Sequence, residues 1–155
     1  MEHLPITERQ ADLVRSAPKD IEQITTHALS VFDRLRKLLS EVYVQETWGL
    51  SLSAKGDGPL LEIVTPFGPI RMDLVPFVSD QGVQGRYLIQ KQATSESGQS
   101  VWRTIWSLRI STEGRVFQGD EATVSVSANA PSRREDNEIV MLALSILYVA
   151  GQELK

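Results

Sequence analysis

The 155-residue chain contains no cysteine. That removes disulfides, thiolate nucleophiles and cysteine-bound zinc together, and with them every function that depends on sulfur redox chemistry. Histidine is almost as scarce. The two copies are His3 and His27, and His27 has Ser30 and Val31 where a helical partner ligand would stand, so no metal site is expected. Calcium fares no better, because Asp57 and the pair Asp120 and Glu121 are isolated turn acids without the spaced oxygen ligands of a calcium loop. No Gly-Lys-Ser/Thr triplet and no Gly-x-Ser-x-Gly elbow occurs, and Gly82 and Gly85 read as turn glycines with no helix behind them. With no cofactor motif and no catalytic constellation, the expectation is a non-enzymatic protein that carries no cofactor.

Long hydrophobic runs are missing too. The most apolar segment, Ile139 to Ala150, has twelve residues, short of the roughly 20 that cross a bilayer as a helix. The opening stretch Met1 to Arg9 has neither the basic start nor the apolar core of a secretory signal. A cytoplasmic protein without membrane contact is expected. With 16 Lys+Arg against 20 Asp+Glu the formal charge is −4, so the average surface repels nucleic acid, which is disfavoured as a partner.

What remains is ordinary globular material, 41% hydrophobic and 23% charged, enough for one packed domain. Residues 1–16 read as a flexible or briefly helical arm in which Thr7 and Gln10 have capping-box spacing, and residues 17–155 as a single domain. After Ser16 and Pro18, apolar residues from Ile21 through Val42 recur every three or four positions, which predicts a helix with one buried stripe. From Trp48 the period falls to two. Strands are expected over Trp48 to Lys55, Leu60 to Thr65, Ile70 to Val78, Arg86 to Ala93, Trp102 to Ile110, Arg115 to Gln118 and Ala122 to Ala128. Gly56-Asp57-Gly58-Pro59 and Pro66-Phe67-Gly68-Pro69 supply turns, and Pro76 suggests an edge or a bulge. Ser132 and Glu135 form a second capping-box spacing ahead of a helix that is apolar almost all round from Ile139 to Ala150, with Gly151 as its stop. The fold class is therefore α+β: an antiparallel sheet of about six strands flanked by an N-terminal and a C-terminal helix in a two-layer sandwich.

Alternation along the fifth strand puts Trp102, Thr104, Trp106, Leu108 and Ile110 on the helix side. The other side then holds Arg103, Ser107 and Arg109, with Ser51, Ser53, Thr123, Ser125 and Ser127 on neighbouring strands. This polar face is a candidate surface for an acidic partner or a nucleic-acid backbone, although Tyr87 is its only obvious aromatic. Glu62 and Asp73 can approach across a hairpin, where Arg71 makes a cross-strand ion pair the simplest expectation. The apolar surplus is the leading feature. A final helix that is apolar on all sides is either wrapped by the sheet or contributes an interface, for which Leu144, Leu147 and Tyr148 are the candidates. The leading expectation is a protein-binding module of adaptor, chaperone or inhibitor type whose partner is another protein or a second copy. The alternatives are a small-molecule cup lined by Trp48, Trp102 and Trp106, and nucleic-acid binding through Arg103 and Arg109.

Overall fold

A computed structural model describes residues 6–53, 60–118, 124–127 and 132–152. Helix α1 spans Glu8–Leu39, 32 residues. Thr7 caps it reciprocally: the Gln10 backbone N–H donates to Thr7 Oγ1 at 3.1 Å, and the Thr7 N–H donates to Gln10 Oε1 at 2.9 Å. The sequence pattern puts a change near Ser16 and Pro18, but the helix is continuous there, so residues 8–16 are its opening turns. Pro18 removes one N–H donor, and tertiary contacts hold the segment in place. The Arg9 guanidinium donates to the Asp80 carbonyl, and Leu13 lies over Gly82. Further along, Ile24, Ala28, Val31, Phe32, Leu35 and Leu39 form the buried stripe that their spacing predicts.

The expected strand from Trp48 is not formed in that way. Val42–Trp48 is a short second helix, α2, which buries Val44 and ends on Gly49 in the left-handed region at φ 66. The Gln45 side chain donates to the Leu39 carbonyl at 3.0 Å, so contacts with the end of α1 override the β-forming tendency of the Val-Tyr-Val run. Among the described residues of the expected strand, Ser51–Leu52 alone is paired, as β1. The Gly56 to Pro59 turn lies outside the described residues.

Six further strands follow: β2 Leu60–Thr65, β3 Gly68–Ser79, β4 Gly82–Thr94, β5 Ser100–Ile110, β6 Arg115–Gln118 and β7 Val124–Ser127. They form one antiparallel meander in the order of the sequence, closed by helix α3, Ser132–Ala150. No helix among the described residues is long and apolar enough to cross a membrane. Pro76 opposes Gly85 of β4 and stands beyond Asp73, where the described pairing of β2 with β3 stops.

One sheet face carries Leu61, Ile63, Ile70, Met72, Tyr87, Ile89, Leu108, Ile110 and Val116, all buried. Both long helices lie on it. Gly85, expected as a loop glycine, is instead inside β4: a Cβ there would stand 2.7 Å from Ile24 Cγ2 and 2.8 Å from Ile110 Cγ2. It lets α1 press onto the sheet. The two-layer α+β arrangement is as the sequence predicts, with seven strands in the sheet where about six are expected.

Candidate functional site

Helix α3 divides into two sides. Ile139, Leu142, Ala143, Ile146 and Ala150 are buried at spacings of three and four against α1 and the sheet. Leu147 belongs to this side. With Leu35, Leu39, Ile63, Ala143 and Ile146 it lines a narrow cavity of about 10 Å³, room for about one water. The other side is bare: Met141 is 62% exposed, Leu144 39% and Tyr148 71%. Of the three interface candidates, then, Leu144 and Tyr148 face outward and Leu147 packs inward.

The bare ridge continues past the helix end. Gly151 follows Tyr148 by three residues, and the Phe67 ring lies against it, so close that a Cβ on Gly151 would come 2.9 Å from Phe67 Cζ. Phe67 is itself 51% exposed. The helix terminus is fixed by Lys91, whose Nζ donates to the Ala150 carbonyl at 2.8 Å and brings a cation to the negative end of the helix. Met141, Leu144, Tyr148 and Phe67 thus form an uncharged ridge on a rigidly held helix.

The outer sheet face differs from its expected composition because of one residue. Ile89 pairs with Trp106 and Gln90 with Thr104, which leaves Ile105 as an extra residue in β5. Such a bulge reverses the side on which the residues before it project. Arg103 therefore pairs with Lys91 and shares the helix-side parity, apart from Ser107 and Arg109, which do lie together on the outer face. Trp102 moves the other way, to the outer face, while Trp106 packs against the core from the helix side. Trp102 is thereby separated from Trp48 and Trp106, which both pack against the core. Ser51 and Ser53 keep the outer-face parity predicted for them, whereas the side chains of Thr123, Ser125 and Ser127 lie outside the description.

The outer face carries guanidinium–aromatic pairs that alternation alone did not reveal. Arg71 stacks 4.5 Å from the Trp102 centroid, Arg86 4.6 Å from Phe77, and Arg109 5.0 Å from Phe117. Tyr87, expected here, is instead fully buried in the core, edge-on to Phe32 at 5.1 Å between centroids. Its hydroxyl has no hydrogen-bond partner among the described residues. Burial pushes its pKa well above the ordinary 10.0, with Arg34 opposing that shift in part. The expected ion pair at Arg71 is absent. Although Arg71 sits opposite Glu62 in register, it turns away, donating from Nε to Gln90 Oε1 at 2.7 Å.

His27 lines a polar cleft with Lys19, Glu22, Gln23, Thr26 and Thr112. Among the described residues no three His, Cys, Asp or Glu side chains gather where they could hold a metal ion. His3 lies outside the description. No family model matches the chain, and neither a curated protein nor a solved structure matches it.

Proposed function

We propose that this chain is a protein-binding module whose contact surface is the outer ridge of α3, and that its first occupant is a second copy of the chain. The observation that carries the reading is the exposure of Met141, Leu144 and Tyr148 on a helix whose opposite side is fully packed. Large apolar side chains grouped on a rigid element mark an interaction surface more often than scattered ones do.

The spacing of the ridge supports self-pairing. Met141 and Tyr148 are equally far from the midpoint between Leu144 and Ser145, so two antiparallel copies related by a two-fold axis at that point set each Met141 against the other copy's Tyr148. A thioether against an aromatic ring is a favourable contact, and the ridge has no charge to repel its copy. Four side chains are few beside the roughly 800 Å² per partner of a standard interface. The dimer is accordingly concentration-dependent.

Light scattering coupled to size exclusion over a concentration series tests this. The wild type should move from monomer mass to dimer mass, while Leu144→Glu and Tyr148→Glu stay monomeric with unchanged circular dichroism. A wild type that remains monomeric at every concentration contradicts the reading.

A further inference from the structure

The outer sheet face holds a charge arrangement that neither the core nor α3 explains. Arg86 and Arg109 stand directly opposite one another on β4 and β5. Like charges facing across a ladder repel. Four residues along β4, about 13 Å at strand rise, Gln90 marks the rung of Arg71. Neither Arg71 nor Arg86 forms an ion pair with a carboxylate among the described residues, and Arg86 Nε has no hydrogen-bond partner. Each guanidinium instead lies over a ring, Arg71 over Trp102 and Arg86 over Phe77, and both residues are part-exposed.

Between these basic rungs lies a different one, where Leu88 is flanked by Asp73 and Ser107. From this alternation we infer that the outer face binds an extended acidic protein segment, its carboxylates on Arg86 and Arg71 and a neutral residue over Leu88. Planar guanidiniums match carboxylates bidentately, and in an extended chain every second side chain projects to the same side. A Glu-x-Leu-x-Glu spacing therefore meets basic, apolar and basic rungs in turn. Single-stranded nucleic acid fits less well. Its uniform phosphates would have to pass Asp73, and the rings it would use for stacking are already covered by arginine. The site is independent of self-pairing through α3, which lies on the opposite face of the sheet.

The test is fluorescence anisotropy of the full chain with a labelled peptide of Glu-Ser-Leu-Ser repeats and, separately, with labelled oligothymidylate. The peptide should bind, with an affinity that falls as salt is added. Arg71→Gln with Arg86→Gln should weaken it about tenfold or more, the loss expected for charge-assisted hydrogen bonds. Because both arginines also pack on rings, Asp73→Asn supplies a second variant that leaves them in place, and it should tighten peptide binding severalfold. The light-scattering mass should not change in either variant, so a failure here is distinguishable from a failure of the α3 reading. Absence of peptide binding at low salt, equal or tighter binding of oligothymidylate, or no response to Asp73→Asn overturns the inference.

Discussion

Gly85 of β4 lies directly beneath Ile24 of α1, with only 2.7 Å between Ile24 Cγ2 and the place a Cβ would occupy. Ile110 Cγ2 at 2.8 Å and Leu74 Cδ1 at 3.0 Å close the other sides. None of these neighbours is the free end of a long flexible chain, so an added methyl forces helix and sheet apart. Gly85→Ala should destabilise the fold by about 1–3 kcal/mol, as overpacking of a tight core does. Denaturant unfolding of the variant beside wild type measures it, with the midpoint falling and the slope unchanged.

Tyr87 makes a prediction of opposite sign. Its hydroxyl is buried without a partner among the described residues, and an unsatisfied buried polar group costs about 1–3 kcal/mol. Tyr87→Phe keeps the ring against Phe32 and removes the orphan, so thermal unfolding should shift upward by about 1 kcal/mol of stability. The same residue sets a pH dependence. Burial raises its pKa in the folded chain above the ordinary 10.0, so above that pH the unfolded chain gives up the phenol proton while the folded chain keeps it. Stability from this source is complete below about pH 10 and is lost as pH rises, by about 1.4 kcal/mol per unit until the folded group also titrates. Wild type should therefore lose more stability than Tyr87→Phe between neutral and strongly alkaline pH. Parallel pH profiles of the two proteins would contradict this.

Local signals in the chain predicted the elements well where one side of each is buried. The Thr7 and Gln10 capping box, the α1 stripe from Ile24 to Leu39, strands β2 to β6 and the stop at Gly151 all follow from spacing and turn chemistry. The misplacements share a cause in tertiary contact. Trp48 to Lys55 alternates like a strand, but Trp48 closes helix α2, Gly49 takes a left-handed turn, and among the described residues of that stretch strand pairing begins only at Ser51. Gly85 looks like a loop glycine because no local feature shows that Ile24 will need the space above it.

The outer face was the least legible. Trp102 to Ile110 alternates without a break in the sequence, and the extra residue at Ile105 appears only in the pairing with Ile89 and Gln90. That single bulge exchanged Arg103 for Trp102 on the outer face. Alternation within β3 and β4 places Arg71, Phe77 and Arg86 on one face, but the rings of Trp102 and Phe117 reach it only through the pairing of β5 and β6. On α3, an all-round apolar sequence could not separate Leu147, which packs inward, from Leu144 and Tyr148, since that difference depends on where α1 lies.

The absence of cysteine makes the pairing of α3 directly measurable. Ser145 is half-buried and lies between the exposed Met141 and Tyr148, and Ser145→Cys is nearly isosteric, so it places one thiol beside the proposed two-fold axis without removing the ridge. Thr26→Cys, at an exposed position on α1, is the control. Under mild oxidation the Ser145→Cys chain should form a covalent dimer quickly and at low concentration, the Thr26→Cys chain should not, and adding Tyr148→Glu should abolish the crosslink. Equal crosslinking at both positions, or none at Ser145→Cys, would contradict α3 as the surface through which this protein binds its own copy.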